Sequence, residues 1–383
     1  AKRSRSSADA AERNAVVRSF VARVLYTILT IAVFGAPFAS TVNAQDQSFA
    51  ARVDTLAAKE IRRQGLPSFQ MAIADEGAIV YSGAYGQADI EAKTPATNQT
   101  QYRIASISKW LTGTATMTLV DKNKLDLDAP IQTYCPAFPK KEWQITTRQL
   151  LSHTSGVRHY TDTEQETPST VHYDDVIAPL ETFKDDALLF EPAMGWAYSS
   201  HGYRLLGCVI QGAAKMPYSD YIKAVIFDPV AMTRTQPEGI PGANPQQATN
   251  YSFVRKRKLR VSEVRDISEN LPAGGHVSTA TDIALFAQAF DQDKLITPQS
   301  RAIMMSLPVA RTGTVIESGY GHGVDFMGRF DNTPGHGGSQ RGATSLVLLF
   351  PEENLSIAVM SNAAGWTNQQ KFVQEVLDLY RAK

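Results

Sequence analysis

The sequence lacks the ligand patterns of a metal site and is poor in cysteine. Cys135 and Cys208 are its only 2 cysteines, and it has neither a Cys-x-x-Cys nor a His-Glu-x-x-His pattern. We therefore expect no metal ion and no cofactor. An excess of either charge is also missing, because 38 basic residues balance 38 acidic residues. A chain without net charge has no general attraction for nucleic acid, so we expect no nucleic-acid partner.

The two cysteines lie in different surroundings along the chain. Cys208 belongs to an apolar run and is predicted to be buried, whereas Cys135 precedes Pro136 in a turn-rich stretch and is predicted to lie nearer the surface. A disulfide between them is chemically allowed outside the cytoplasm. The sequence alone does not give the distance that such a bond requires.

Residues 1–44 resemble an export signal. Several basic residues precede an uncharged apolar stretch at 24–39, and Val42 and Ala44 are small residues at the two positions that a signal peptidase reads. We expect cleavage before Gln45 and a periplasmic or secreted protein. The alternative is a retained segment that tethers the protein to a membrane and faces outside the cytoplasm. A mitochondrial transit peptide fits less well, since the apolar stretch is not amphipathic.

Apolar periodicity in residues 45–383 predicts an α+β fold. Strand patterns occur near both ends of this part, so we expect one antiparallel sheet flanked by helices, with a helical lobe inserted at roughly 110–260. The basic run at 255–260 is expected to be a solvated part of a hairpin at 250–264. The predicted strands are 69–73, 78–85, 320–324, 345–350 and 355–361, and the main predicted helices are 47–63, 106–121, 203–214, 218–227, 281–290 and 369–381.

The stretch Ser106-Ile107-Ser108-Lys109 opens one of these helical patterns. Residues three apart share a helix face, so the Lys109 amine is expected beside the Ser106 hydroxyl. A helix start also offers free N–H groups to a developing oxyanion. Serine needs a base to become a nucleophile, and Lys109 can be that base only if burial lowers its pKa. The alternative is a helix start with Ser106 as the N-cap and Lys109 in solvent.

Two later stretches carry further candidate residues. Tyr198 lies between a Pro/Gly turn and a helix, from where its phenol can point into a cleft. A nearby lysine ammonium would lower the pKa of Tyr198 and make it a general base; a buried tyrosine bonded to the backbone is the alternative. The glycine-rich stretch 334–342 lets a backbone approach a substrate, and could supply an N–H group to an oxyanion hole. An ordinary hairpin turn has the same composition.

In this order, Ser-x-x-Lys, Tyr198-Ser199-Ser200 and His336-Gly337-Gly338 resemble the motifs of the serine β-lactamase and penicillin-binding-protein superfamily. The likeness covers roughly 46–380. It is greatest for the class C-like branch, in particular the mitochondrial serine β-lactamase-like proteins and their bacterial relatives. Two motifs depart from the family, since Ser200 replaces an asparagine and His336 replaces a lysine. The other matching stretches are 124–128, 151–160, 190–192 and 273–275.

The resemblance implies a β-lactamase/transpeptidase-like fold and a serine hydrolase that forms an acyl-enzyme. It makes Ser106 the nucleophile, and Lys109 and Tyr198 the groups that move its proton. It places the oxyanion hole at the N–H groups of Ser106 and Ser339. The residues that it assigns to substrate binding are Ser200, His336, Gly337, Gly338 and Arg341.

The expected substrate is a small ester or peptide. A neutral His336 holds a carboxylate poorly and Ser200 lacks an amide, so a true β-lactamase or DD-peptidase is the alternative rather than the first choice. Arg341 is a candidate anion clamp. Because relatives of this type are associated with filament assembly, the resemblance also implies self-association, or an inactive scaffold. Ser-x-x-Lys chemistry needs no histidine base, so we expect a structural function for His153.

Overall fold

The computed structural model describes residues 44–166, 169–255 and 258–383. Residues 49–383 form one compact unit. The predicted export signal lies almost wholly outside the described residues. None of the helices in the described ranges combines the length and the apolar character that a bilayer span requires.

The strands of the described residues form three sheets. They are β1 Ser68–Asp75, β2 Ala78–Asp89, β3 Thr94–Pro95, β4 Tyr102–Arg103, β5 Gln236–Pro237, β6 Tyr251–Arg255, β7 Lys258–Val261, β8 His276–Ser278, β9 Asp325–Met327, β10 Thr333–Gln340, β11 Ala343–Phe350 and β12 Leu355–Ser361. The largest sheet has seven antiparallel strands in the order β3-β2-β1-β12-β11-β10-β9. It joins strands from both ends of the chain, as predicted. Strands β4, β8 and β5 form the second sheet, and β6 pairs with β7 in the predicted hairpin.

Helices cover both faces of the large sheet. They are α1 Ala44–Gln64, α2 Ile107–Asp121, α3 Thr147–Leu151, α4 Asp162–Glu166, α5 Ser200–Ala214, α6 Tyr218–Ile222, α7 Leu271–Gly274, α8 Ala280–Asp291, α9 Pro298–Met304 and α10 Gln369–Arg381. Short 3-10 turns lie at Ile131–Thr133, Ala178–Thr182, Asp228–Val230, Ser268–Asn270, Gly328–Phe330 and Pro351–Glu353, and a π-helical turn lies at Lys223–Phe227. The predicted helices at 47–63, 281–290 and 369–381 are confirmed.

The period-two pattern of β1 explains the two cores. Phe69 and Ile73 point to one face of the sheet and share a cluster with Phe372 of α10, whereas Ala72 points to the other face and shares a cluster with Phe286 of α8. Successive side chains of a strand alternate between faces, so a central strand with helices on both sides is apolar throughout. All the residues of β1 except Asp75 are accordingly buried.

Most of the glycine-rich stretch at 334–342 is strand, and only Arg341 and Gly342 form the turn that its composition also allowed. It forms most of β10, and the strand predicted at 320–324 is wrong, because β9 begins only at Asp325. Close packing explains the glycines. A Cβ at Gly335 would lie 2.3 Å from the Val347 carbonyl oxygen, and one at Gly338 would lie 2.4 Å from that of Ile104. These close contacts are made with other segments of the chain. The strand therefore has no local alternation of polar and apolar residues from which it could be predicted.

Cys135 and Cys208 form a disulfide, with Cα atoms 5.5 Å apart. Both are buried, so the prediction that Cys135 lies near the surface is wrong. The segment that carries Cys135 packs directly on α5, where Gly212 allows the contact: a Cβ at Gly212 would lie 1.7 Å from the Tyr134 carbonyl oxygen. The helix covers the turn and excludes water from it.

We expect the double variant Cys135→Ala/Cys208→Ala to lose stability. The bond closes a loop with a sequence separation of 73 residues, and the entropy of such a loop corresponds to about 4 kcal/mol of unfolding free energy. Urea unfolding of the oxidised wild type and of the variant measures the difference. Reductant should lower the wild-type midpoint and leave the variant unchanged; equal midpoints for the two proteins would contradict the expectation.

Candidate active site

Ser106 lies directly before helix α2, in a strained turn. Its own backbone angles are helical, with φ −65° and ψ −9°, but its side chain makes no capping hydrogen bond. Ala105 before it has a φ of +47°, a left-handed conformation that costs a non-glycine residue about 1–2 kcal/mol. The Ser106 hydroxyl is therefore not consumed by the helix start, and the alternative in which it caps α2 is wrong.

The Lys109 amine is fully buried and close to three oxygen atoms. Its Nζ lies 3.1 Å from Ser106 Oγ, 3.0 Å from Ser200 Oγ and 2.8 Å from the Ala273 carbonyl oxygen. Among the described residues no carboxylate lies within 4.0 Å of it. Burial without a counter-ion lowers the pKa of Lys109 well below its ordinary 10.5, and the charge of Arg204 lowers it further. The alternative of a solvated Lys109 is wrong.

When Lys109 is neutral, its three oxygen neighbours determine where its hydrogens and its lone pair point. An uncharged amine has two N–H donors and one lone pair. The Ala273 carbonyl can only accept, and it takes one N–H, while Ser200 Oγ takes the other. The lone pair is then left for the Ser106 hydroxyl, 3.1 Å away. In this state Lys109 is placed to take the proton of Ser106.

Tyr198 completes the group around the hydroxyl. Its own hydroxyl is hydrogen-bonded to the Ser106 side chain, and its ring centroid lies 4.9 Å from Lys109 Nζ. Burial raises the pKa of Tyr198, although its ring borders the cavity. This corrects the expectation of a lowered pKa, because the cost of burying a phenolate outweighs its stabilisation by the neighbouring amine. Tyr198 keeps its proton at neutral pH and can relay one.

Two histidines of the 151–160 stretch hold the first residues of α5. The Ser199 N–H donates to His153 Nδ1 and the Ser200 N–H donates to His159 Nδ1, each at 3.1 Å. Burial lowers the pKa of His153 well below 6.5 and that of His159 to about 4, so both rings are neutral at pH 7. Among the described residues no hydrogen bond joins Ser106 to either ring. His153 packs on Tyr198 with ring centroids 4.4 Å apart, which agrees with the structural function expected for it.

A cavity of about 310 Å³ lies in front of Ser106. Tyr198, Ser200, Ser339 and Arg341 also line it. Arg341 donates a hydrogen bond to Glu263, 2.5 Å away. The predicted contacts His336, Gly337 and Gly338 are not among the lining residues in the part of the chain that the structure describes.

His336 faces the protein interior. Its Nε2 lies 2.9 Å from the Tyr320 hydroxyl, and its Nδ1 lies 2.7 Å from the Gly337 carbonyl oxygen. The carbonyl can only accept, so Nδ1 carries the proton and Nε2 accepts from Tyr320. Burial lowers the pKa of His336 to about 3. Both nitrogens are occupied and the ring is neutral, which leaves it no means of holding an anion.

Ser339 lies on a free strand edge. Strand β9 pairs with β10 only over Thr333–Gly335, so beyond Gly335 that side of β10 has no strand partner among the described residues. An unpaired edge presents backbone N–H groups. The predicted oxyanion hole needs such a group opposite Ser106, and its assignment to Ser339 stays a prediction.

One wall of the cavity consists of polar residues that were not predicted from the sequence. Arg204 and Arg265 both contact Glu269, at 3.2 and 3.3 Å, and the Tyr160 hydroxyl donates to Asn270 Oδ1. These residues come from three distant segments, and only Arg265 and Glu269 are linked by a local spacing, of four residues. The family-like stretch 273–275 was a partial signal for this region of the site, because it contains Ala273, whose carbonyl contacts Lys109.

Comparison with known proteins extends these observations. Residues 46–379 match the family model described as Beta-lactamase. The chain is 27% identical to the human serine beta-lactamase-like protein LACTB, mitochondrial, over 76% of this chain and 70% of that protein. It is 25% identical to the D-amino acid amidase of Ochrobactrum anthropi SV3, with a TM-score of 0.72 over 88% of this chain and 99% of that one. An octameric penicillin-binding protein homologue from Pyrococcus abyssi shares the fold, with a TM-score of 0.73 at 23% identity over 87% of this chain and 78% of that one.

We expect the reaction of Ser106 with a fluorophosphonate probe to depend on the ionisation of Lys109. Only the neutral amine accepts a proton, so the rate should rise with pH through the pKa of Lys109 and then level off. Because burial lowers that pKa, the rise should be complete below pH 10.5. Labelling rates across a pH series measure the profile.

Two variants test whether Lys109 causes this profile. Lys109→Met, which is neutral and has no lone pair for the proton, should lose about 10²- to 10⁴-fold in rate at every pH. Lys122→Met, just beyond the end of the same helix, should behave as the wild type. A wild-type rate that still rises above pH 10.5, or full reactivity of Lys109→Met, would remove Lys109 from the chemistry.

Proposed function

The chain belongs to the beta-lactamase family of serine hydrolases, and on this premise we propose that it hydrolyses a small ester or amide through an acyl-enzyme on Ser106. The observation that carries the proposal is the buried Lys109 amine, which lies 3.1 Å from Ser106 Oγ and has no carboxylate partner among the described residues. A structural lysine would need a carboxylate or solvent to stabilise its charge. This one has neither among the described residues, and it faces a hydroxyl on the wall of a cavity.

Acylation begins when Ser106 Oγ attacks the substrate carbonyl carbon and its proton moves to Lys109 Nζ. The carbonyl oxygen becomes an oxyanion, which the N–H groups of Ser106 and Ser339 stabilise. The proton then passes through the Tyr198 hydroxyl to the leaving group, and the bond between the carbonyl carbon and the leaving group breaks. The acyl group stays on Ser106 as an ester, and Lys109 is neutral again.

Deacylation repeats the same steps with water as the nucleophile. Water gives a proton to the Lys109 and Tyr198 pair as its oxygen attacks the acyl carbon. The ester bond to Ser106 Oγ then breaks, the proton returns to that oxygen, and a carboxylic acid leaves. Neither half of the cycle needs a histidine base, which fits the hydrogen bonds that His153 and His159 accept from the N–H groups of Ser199 and Ser200.

A small ester or amide suits the cavity better than a penicillin or a D-Ala-D-Ala peptide. The residue in place of the family lysine, His336, is buried and uncharged. The amidase relative acts on an amide, as its name states, and an ester is the less stable analogue of that bond. A true β-lactamase or DD-peptidase is the alternative, and a comparison of p-nitrophenyl esters, nitrocefin and short peptides separates the three activities.

We also propose that the protein works outside the cytoplasm. The leader-like residues 1–44 support export, and so does the Cys135–Cys208 disulfide, since such bonds persist in oxidising compartments. Self-association is a further expectation, and the relative from Pyrococcus abyssi is described as octameric. Sedimentation of the wild type and of Ser106→Ala distinguishes assembly from catalysis, because a pure scaffold assembles without turning over any ester.

Ser106 is the nucleophile in the proposed reaction. A fluorophosphonate probe should label the wild type, and Ser106→Ala should not react, because the labelled oxygen is absent. Ser108→Ala is the matched control, since its hydroxyl is buried and has no hydrogen-bond partner among the described residues. Labelling is measured by intact mass, and equal labelling of wild type and Ser106→Ala would defeat the proposal.

The Tyr198 hydroxyl relays the proton in the proposed reaction. Tyr198→Phe keeps the ring against His153 but removes the hydroxyl, so kcat for a p-nitrophenyl ester should fall about 10²- to 10⁴-fold. The unfolding midpoint should change little, because the ring contacts remain. Stopped-flow release of p-nitrophenol measures the rate. An unchanged kcat would exclude Tyr198 from the proton path.

A further inference from the structure

The residue in place of the family asparagine, Ser200, has no side-chain amide to offer a substrate. Ser200 Oγ accepts from Lys109 Nζ at 3.0 Å, and the Ser200 N–H donates to His159 Nδ1 at 3.1 Å. Ser200 is thus engaged in holding Lys109 and the start of α5. The cavity nevertheless contains a side-chain amide on another segment, that of Asn270.

The amide of Asn270 is held in one orientation. Its Oδ1 accepts from the Tyr160 hydroxyl and from Arg204 Nε, the second at 3.4 Å. Asn270 precedes α7, yet its side chain makes no capping bond to that helix. Because both neighbours are donors, the amide atom that faces them is the oxygen. The nitrogen, Nδ2, therefore points away from Tyr160 and Arg204.

Nδ2 lies on the cavity wall beside the turn that carries Ser106. A Cβ at Gly274 would lie 2.8 Å from Nδ2 and 3.7 Å from the Ala105 carbonyl oxygen. Within the described residues Nδ2 has no hydrogen-bond partner. It is also not enclosed by protein, unlike the buried polar atoms that lack a partner. It therefore opens onto the cavity that Asn270, Gly274 and Ser106 line together.

We propose that Asn270 Nδ2 donates a hydrogen bond to a second carbonyl oxygen in the acyl part of the substrate. The protein would then prefer esters and amides of N-acylated amino acids to simple aliphatic ones. The inference rests on the proposed hydrolysis at Ser106. The same helical turn carries Ala273, whose carbonyl holds Lys109, so one rigid element positions both the base and the selecting amide. The charge of Arg204 on Oδ1 polarises the amide and strengthens its N–H donor.

A matched pair of esters tests this selectivity. p-Nitrophenyl N-acetylglycinate and p-nitrophenyl pentanoate have acyl chains of equal length and differ in the internal amide. The readout is the ratio of their kcat/KM values in each variant relative to the wild type, which cancels the intrinsic reactivity of the esters. Asn270→Asp keeps an oxygen for Tyr160 and Arg204 but replaces the donor with an acceptor. It should lower the ratio about tenfold.

Two further variants keep the result interpretable. Asn270→Leu removes the donor without adding charge and should lower the ratio about three- to tenfold. Asn244→Ala removes another half-buried amide, which donates to Gln101 Oε1 at 2.6 Å and does not line the cavity. That variant should keep the wild-type ratio. Fluorophosphonate labelling of each variant shows whether Ser106 and Lys109 are intact.

The outcomes separate this inference from the function on which it rests. A wild-type ratio in Asn270→Asp and Asn270→Leu, or an equal loss on both esters, overturns the selectivity and leaves hydrolysis standing. If the wild type releases p-nitrophenol from neither ester, hydrolysis at Ser106 fails, and the selectivity fails with it. A fall in the ratio in both Asn270 variants but not in Asn244→Ala supports the proposal.

Discussion

The burial of the Lys109 amine, which has no counter-ion within the described part of the chain, is the constraint on which the site depends. Removing a charged ammonium from water costs several kcal/mol, so the folded protein stabilises the neutral form. That form still has two N–H groups, and a buried donor without an acceptor is itself costly. Ala273 on α7 and Ser200 on α5 supply the acceptors. The lone pair is available to Ser106 because the packing of α2, α5 and α7 places both acceptors beside Lys109 Nζ.

Buried contacts also fix β4 and Ile104, which directly precede the turn at Ser106. Arg103 forms a bidentate ion pair with Glu238 at 2.6 and 2.7 Å, and both side chains are buried. The Ile104 N–H donates to the His276 carbonyl oxygen at 3.1 Å, and Gly338 of β10 packs on the Ile104 carbonyl. These contacts hold the left-handed turn at Ala105 in place, because a strained residue persists only where its surroundings over-determine it. The free edge of β10 is brought to Ser106 by the same packing.

Much of the fold was predictable because its signals are local. The β1–β2 hairpin has alternating apolar residues and a two-residue turn in which Glu76 and Gly77 have φ of 51° and 83°, as a tight hairpin requires. The final helix was predicted with its observed bounds, Gln369–Arg381. Strand β10 and the burial of Cys135 were not predicted correctly. Both depend on close approach by segments far away in the chain, which leaves no periodic pattern.

The sequence by itself determined that Ser106 and Lys109 share a helix face, since three residues of separation set that neighbourhood whatever surrounds the helix. Only the tertiary structure decided what the two groups can do. The lowered pKa of Lys109, the raised pKa of Tyr198 and the open donor of Asn270 all depend on which atoms exclude water around them. Solvent exclusion is a collective property of packed segments, whereas covalent spacing is a property of the chain.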